Sequence, residues 1–296
     1  MSGALLEIRN LAVEIGGRRL VDVAELAVGR GEIVGLVGES GAGKSMVLST
    51  VIGLQPANAR VTGSIRFDGV ELVGPHGPEG RLLRDLRGRR IALVPQAARA
   101  SLTPTLQARV WLDRALALHN VPRAERKARL DHALDAVRLD PALLERYPHQ
   151  LSGGEAQRVV IALAVALRAE LLLADEATSA LDVTVQAEVA ELFRSLREHE
   201  GTAILLVSHD LALVAGLADR IDIIDRGVIV ERGPASVLAT PAHAVTRELV
   251  AANPTLDALE ARHAVETGGA ADAPATAASA TDAPTGSADA RDGGAR

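Results

Sequence analysis

The chain has no cysteine. Disulfides, thiolate metal sites and cysteine nucleophiles are therefore excluded, and the composition suits a reducing cytoplasm. Aromatic residues are nearly missing, with two Phe, one Tyr and one Trp among 296 residues. With 48% of the chain hydrophobic, the core must be built from Leu, Val, Ile and Ala. No uncharged apolar run reaches the ~18–20 residues that a membrane span needs. The longest, VVIALAVAL (159–167) and AILLVS (203–208), are core-sized. The start, MSGALLEIRN, lacks a basic region followed by an apolar run, so no signal peptide is expected. Lysine is scarce as well: Lys44 and Lys127 are the only two in a chain that otherwise uses arginine.

Charge is unevenly placed. Of the net −6, most falls in residues 256–296, which hold seven acidic and three basic residues. The remainder is close to neutral and carries no nucleic-acid footprint. Residues 256–296 are Ala, Gly, Asp, Thr and Pro with almost no large apolar side chain, and they read as a disordered tail because they cannot bury enough surface to offset ordering entropy. The one basic cluster, GRLLRDLRGRR (80–90), reads as a solvated helix face.

Hydrophobic periodicity predicts an α/β chain. Residues 5–28 alternate around GGRR as two short strands, and EIVGLV (32–37) is a buried strand. MVLSTVIGL predicts a helix closing at Gly53, GSIRFDGVEL (63–72) a strand and a D-G turn, and IALVPQ (91–96) a buried strand. Between about 97 and 150 strand patterns vanish and helical spacing takes over, punctuated by proline, so this part is predicted to be a helical insertion. Strand–helix alternation resumes with AELLLADE, TVQAEVAELFRSLREHE, TAILLVS and LALVAGLA, and RIDIIDRGVIVERG predicts a hairpin turning at DRG. Alternation of this kind implies a mainly parallel sheet with helices on both faces.

GESGAGKS (38–45) fits G-x-x-x-x-G-K-[ST] at every fixed position, with a buried strand before it and a helix after it. Gly38, Gly41 and Gly43 permit a tight backbone path, so the N–H groups of Gly38, Glu39, Ser40, Gly41, Ala42 and Gly43 can surround a phosphate at a helix N-terminus. Lys44 supplies a point charge to the β- and γ-phosphates, and Ser45 a hydroxyl to Mg²⁺. LLLADEATSALD (171–182) ends an apolar strand in two adjacent acids. Such acids need a cation or a proton. Asp175 is assigned to Mg²⁺ and Glu176 to general base, although capping of the next segment fits the pair equally well when it is taken alone. His209, after LLVS, and Gln96, after IALVP, are polar residues at strand ends on the same predicted edge. LSGGEAQR (151–158) is a capped helix start without lysine or metal ligand; Ser152 and Glu155 have the spacing of a capping box.

Together these residues resemble the ATPase subunit of ATP-binding cassette transporters, over roughly residues 4–255. GESGAGKS is similar to the Walker A loop, LLLADE to Walker B, and LSGGEAQR to the signature motif. Gln96 falls at the Q-loop, SALD (179–182) at the D-loop and His209 at the switch histidine. The resemblance implies a P-loop NTPase (RecA-like) core with an N-terminal antiparallel β subdomain, a helical subdomain over about 97–155 and a C-terminal extension over about 234–255. It implies ATP and Mg²⁺ as cofactors, with Gln96 joining Ser45 and Asp175 around the metal and Asp182 facing nucleotide. It also implies head-to-tail dimerisation with a second, identical or paralogous, ATPase. Ser152, Gly153 and Gly154 would then meet the γ-phosphate held by the partner's loop, which explains the absent lysine. Permease subunits, and through them an extracytoplasmic solute-binding protein, complete the implied assembly at the cytoplasmic face of the membrane.

Finer similarities point to the peptide/nickel import group. RGRRIALVPQAARASLTP (87–104), YPHQLSGGEAQRVVIALA, DEATSALDVTVQAEV and TPAHAVTRELVAANP (240–254) resemble its members. Peptide import is the reading, with nickel or another small solute as the alternative and a non-transport cassette protein behind both. Two departures stand out. The chain has none of the C-terminal cysteines that hold an iron–sulfur cluster in some relatives. No aromatic precedes Phe67, so Ile15 stands where the family stacks a ring on adenine. Weaker ATP binding or poorer ATP-over-GTP discrimination is expected from this.

Overall fold

The computed structural model describes residues 3–74, 77–179 and 181–253. The chain begins β1 (Ala4–Ile15), β2 (Arg18–Gly29), β3 (Ile33–Val37), α1 (Lys44–Val51), β4 (Arg60–Phe67), β5 (Val70–Gly74), β6 (Gly77–Pro78), α2 (Gly80–Leu86) and β7 (Ile91–Val94). It continues with α3 (Ala98–Ser101), α4 (Ala108–Leu118), α5 (Arg123–Ala136) and α6 (Gly153–Ala166). The remainder is β8 (Leu171–Asp175), α7 (Val183–Glu200), β9 (Ala203–Ser208), α8 (Leu211–Leu217), β10 (Arg220–Asp225), β11 (Val228–Gly233) and α9 (Ala244–Ala251). The tail predicted for 256–296 lies outside the described residues.

Two sheets form. One is antiparallel, in the order β2-β1-β4-β5-β6; the other runs β11-β10-β3-β9-β8-β7 and is parallel except for β11. This is the predicted α/β class with its N-terminal antiparallel sheet. Strands β3, β8 and β9 read as unbroken apolar runs because both of their faces are covered. Ile33, Leu172, Ala174, Ile204 and Leu206 face a core shared with the helices. Val34, Leu36, Leu171, Leu173, Leu205 and Val207 face a second core against the antiparallel sheet and α1. At Gly35 a Cβ would fall 2.2 Å from Val214 Cγ1, so the glycine lets α8 lie directly on the central strand. Between β7 and β8 the described residues form only α-helices and short 3₁₀ turns, and α6 carries this helical segment on to Ala166.

Hairpin turns follow the local chemistry. Gly16–Gly17, Asp68–Gly69 and Arg226–Gly227 each join two strands with positive φ at both residues, the two-residue geometry that matches strand twist. Behind β11 the Glu231 carboxylate accepts the Ala242 and His243 N–H groups at 2.8 and 3.1 Å. This ties the segment leading into α9 to the sheet.

The basic run 80–90 departs from the expected solvated face. Arg81 and Arg84 are exposed, but Arg87 donates Nε to the Ile52 carbonyl at 2.5 Å and Nη2 to the Gly53 carbonyl at 2.6 Å. These are free carbonyls at the end of α1, where a cation is favoured. Arg90 pairs with Asp68 and Glu170 and lies over the Phe67 ring at 4.9 Å. Arg87→Ala is expected to cost about 1–3 kcal/mol, the range for charge-assisted bonds to partly buried acceptors. Urea unfolding checks this, and an unchanged midpoint would leave Arg87 as surface charge.

Candidate functional site

The register of the parallel sheet brings the site together. Val37 of β3 lies beside Ser208 of β9, Val207 of β9 beside Asp175 of β8, and Ala174 of β8 beside Val94 of β7. Four strands therefore end level. The residues that follow them are the glycine-rich loop, His209, Glu176 and Gln96, all on the carboxyl edge where ligands of such sheets bind.

The loop backbone depends on its glycines. Gly41 and Gly43 have φ of 82° and 101°. A Cβ on Gly38 would sit 2.1 Å from the Ile224 carbonyl, and one on Gly43 would sit 2.8 Å from the Leu20 carbonyl. Gly227, at the β10–β11 turn, supports the loop from outside. Its N–H donates to the Ala42 carbonyl at 2.8 Å, and its own carbonyl accepts the Asp22 N–H at 2.8 Å. Helix α1 starts at Gly43 with no side-chain cap and no acid in its first turn, so its N-terminal field is uncompensated, as anion binding requires.

Lys44 is 4% exposed. Its ammonium donates to the Gly38 and Glu39 carbonyls at 2.8 Å each, which folds the side chain back along its own loop. Burial lowers its pKa, against the raising effect of the nearby Glu176 and Asp175 charges. Ser45 Oγ donates to Asp175 Oδ1 at 2.8 Å, joining α1 to the end of β8. Burial raises the Asp175 pKa and the Glu176 charge adds to it, while the Ser45 bond and the Lys44 charge pull it down.

The Asp175 shift has a stability consequence. Its ionised form costs more in the folded protein than in the unfolded chain, so the group subtracts stability once pH rises through the carboxylate range. Asp175→Asn keeps an acceptor for Ser45 and removes that charge. The nucleotide-free variant is expected to melt above the parent at neutral pH, with the gap closing as pH falls through the carboxylate range. A lower melting temperature at neutral pH would contradict this.

Glu176 has φ 46°, a left-handed conformation, and its N–H is fixed on the Val207 carbonyl at 2.9 Å. Gln96 Nε2 donates to Glu176 Oε2 at 2.9 Å, and His209 Nδ1 lies 3.6 Å from the same oxygen. Ser179 completes the group: its hydroxyl accepts from Gln96 Nε2 at 3.1 Å and donates to the Glu176 carbonyl at 3.0 Å. Ser179 was not singled out in the sequence, although it opens SALD. Gln96 thus meets the carboxylate of Glu176 rather than the Ser45–Asp175 pair. Asp182 caps α7, accepting the Val185 N–H at 3.1 Å.

Ser152, Gly153 and Gly154 stand apart from this cluster, at the start of α6. The capping box is complete: Ser152 Oγ accepts the Glu155 N–H at 3.1 Å, and Glu155 Oε2 accepts the Ser152 N–H at 2.6 Å. Among the described residues, neither the Gly153 nor the Gly154 N–H has a protein acceptor. The two glycines differ. Gly153 is exposed, while Gly154 is buried beneath Val185, whose Cγ1 would lie 2.5 Å from an added Cβ. Close packing of α7, as well as a bare N-terminus, therefore requires glycine at 154.

Oxygen donors at Ser45 and Asp175, already 2.8 Å apart, suit a hard divalent cation. A loop of left-handed glycines on an uncapped helix suits a polyphosphate. The ABC transporter family model matches residues 21–179. The dipeptide transport ATP-binding protein DppD of Haemophilus influenzae is 39% identical over 85% of this chain and 78% of its own. The oligopeptide transport ATP-binding protein OppD of Escherichia coli is 39% identical over 86% of this chain and 77% of its own. Among solved structures, the ATP-binding cassette MJ0796, a dimer in a post-hydrolysis state with ADP and Pi, matches with a TM-score of 0.66 and 26% identity, over 78% of this chain and 98% of that one. The fold of cbiO1 from Clostridium perfringens matches with a TM-score of 0.71 and 23% identity, over 88% of this chain and 100% of that one.

Proposed function

The chain belongs to the ABC transporter family, and from that premise we propose that it is the ATP-hydrolysing subunit of an importer of dipeptides and oligopeptides. The observation that carries the reading is the level ending of four parallel strands, which gathers Lys44, Ser45, Gln96, Asp175, Glu176 and His209 on one edge. The transport names of the DppD and OppD relatives support peptide as the cargo.

In this reading the loop N–H groups from Gly38 to Gly43 enclose the phosphates, and Lys44 turns from the Gly38 and Glu39 carbonyls to the γ-phosphate. Ser45 and Asp175 would hold Mg²⁺, which would supply positive charge to offset that of the phosphates. Glu176 accepts the proton of the attacking water. His209 donates toward the transferring phosphoryl oxygens, where charge develops. Gln96 holds the Glu176 carboxylate, and with nucleotide present its side-chain oxygen would be a further donor to Mg²⁺.

Gly153 and Gly154 offer unpartnered N–H groups and no cation, so they complete the site of a second ATPase subunit, identical or paralogous, in a head-to-tail dimer; the dimeric MJ0796 cassette supports this arrangement. Asp182, which caps α7, borders nucleotide at that interface. No described helix is long and apolar enough to cross a membrane. Passage of the solute therefore belongs to permease subunits, with this chain on the cytoplasmic face and the helical insertion over 97–155 relaying motion to them. A solute-binding protein outside the membrane delivers the peptide.

Ile15 closes β1 opposite Arg18 and is partly exposed. It presents an aliphatic surface where adenine would stack. Ile15→Tyr is expected to tighten ATP by about 1–3 kcal/mol, the value of a base on an aromatic ring. Calorimetric titration with ATP and GTP checks it; equal affinities before and after would remove Ile15 from the base site. The experiment that tests the whole reading is mass spectrometry of proteins co-purifying with the tagged chain from its own membranes. Two permeases, a second ATPase and a peptide-type binding protein are expected. A nickel-type binding protein would change the cargo, and recovery of no membrane protein would overturn the importer.

A further inference from the structure

The opposite edge of the parallel sheet, where β7 and β8 begin, carries a second feature. A cleft of about 480 Å³ opens there between the helical insertion and the core, within the range of small-ligand sites. Arg89, Arg90, Arg129, Arg168 and His119 line it, with Asp85 the one acid among the lining residues. The lining comes from three places in the chain: the α2–β7 connection, the α4–α5 connection with the first turns of α5, and the end of α6.

Part of this charge is already engaged. Arg90 is taken by Asp68 and Glu170. Arg129 pairs with Glu125 at 2.7 Å and reaches the Ala166 carbonyl at the end of α6, a helix C-terminus where a cation belongs. Arg89 and Arg168 are different. Both are exposed, and among the described residues neither guanidinium bonds to a carboxylate or to a helix-end carbonyl. His119 lies against Gly88, where an added Cβ would fall 2.5 Å from its Nε2. Burial lowers the His119 pKa, and the charge of Arg89 lowers it further. Two guanidiniums with no bonded partner among the described residues, beside an imidazole whose protonation burial disfavours, leave positive charge in the cleft that among its lining residues only Asp85 opposes.

We propose that this cleft binds a compact soluble phosphate-bearing anion, held by Arg89 and Arg168 with His119 between the core and the helical insertion. Guanidinium groups match phosphate oxygens in bidentate geometry. The basic groups converge in a recessed, half-open cleft rather than on a flat face, which favours a free anion over a lipid headgroup that needs a flat approach. The site lies at the end of the strands remote from the glycine-rich loop and is independent of the transport reading.

The test is calorimetric titration of the full chain with inorganic phosphate at constant ionic strength, together with NMR titration of the His119 ring. Arg168 has φ 60°, a conformation that glycine adopts without the steric cost borne by arginine. Arg168→Gly therefore removes the guanidinium and relaxes the backbone, so a loss of binding cannot be assigned to misfolding. Saturable binding is expected that survives Lys44→Ala in the nucleotide loop, weakens at least tenfold in Arg89→Ser and in Arg168→Gly, and returns in part in Arg168→Lys. The His119 pKa should rise when phosphate is present. Binding lost in Lys44→Ala but kept in Arg168→Gly would place phosphate in the nucleotide loop and overturn the proposal. Weak, non-saturable binding equal in all variants would reduce it to charge screening and overturn it too. Vesicles of phosphatidylglycerol captured through Arg168, with free phosphate failing to bind, would overturn the soluble ligand.

Discussion

Glu176→Gln is expected to bind ATP with near-parental affinity and to lose turnover by about 10²–10⁴-fold, the contribution of a positioned general base. The substitution is nearly isosteric, and the environment tolerates it. Gln96 Nε2 now donates to Glu176 Oε2 at 2.9 Å, and an amide oxygen can still accept that bond, though more weakly than a carboxylate oxygen. The backbone of residue 176 is fixed by the Val207 carbonyl and by its own left-handed φ of 46°, neither of which depends on the side-chain charge. The variant therefore keeps the site and removes only the proton acceptor. In the proposed dimer, where hydrolysis would release the phosphate that bridges the two subunits, ATP should hold Glu176→Gln as a dimer that light scattering detects, while the parent passes through that state. Single-turnover hydrolysis at the parental rate would eliminate Glu176 as the base. His209, 3.6 Å from the same oxygen, would be the next residue to examine.

The parts of this site that were legible in the sequence are those set by local chain chemistry. GESGAGKS needs left-handed glycines whatever surrounds it, and Gly41 and Gly43 have them. IVGLV, LLLAD and AILLVS are strands because a sheet buried on both faces admits little else. Once those strands are parallel, the polar residues that end them must share an edge. The capping box at Ser152 and Glu155 is likewise local.

The parts that stayed hidden depend on residues distant in the chain. Gly227 reads as a turn glycine, and its role between Ala42 and Asp22 follows only from the way β11 folds beside β2. Arg87 reads as surface charge because nothing in GRLLRDLRGRR announces the carbonyls of Ile52 and Gly53. Gly154 reads as phosphate-binding glycine, yet Val185 presses on it from a helix some thirty residues later in the chain. Periodicity reports which face of an element is buried. It does not report what lies against that face, so contacts between segments distant in the chain stay hidden where local backbone conformations are legible.

Lys44→Ala is expected to abolish hydrolysis and to weaken ATP by about 2–5 kcal/mol, the cost of truncating one side of a buried charge pair. The size follows from burial. At 4% exposure the ammonium is screened little by water, and burial already depresses its pKa. Its charge therefore acts at short range in a poorly polarisable setting. Without nucleotide, the Gly38 and Glu39 carbonyls stabilise it. A phosphate offers a full opposite charge in their place, and that exchange favours binding. Lys44→Arg is expected to fail nearly as badly, because a planar guanidinium does not fit the pocket that two carbonyls 2.8 Å away make for a compact ammonium. The nucleotide-free stability should separate the two variants. Alanine removes a desolvated charge but leaves two carbonyls without their donor, whereas arginine forces a larger group into a loop held by Gly227 and closely approached by the Leu20 carbonyl. Thermal unfolding without nucleotide should therefore rank Lys44→Arg below Lys44→Ala. Near-parental ATP affinity in Lys44→Arg would show that charge alone suffices, and that the shape of the lysine site does not select its occupant.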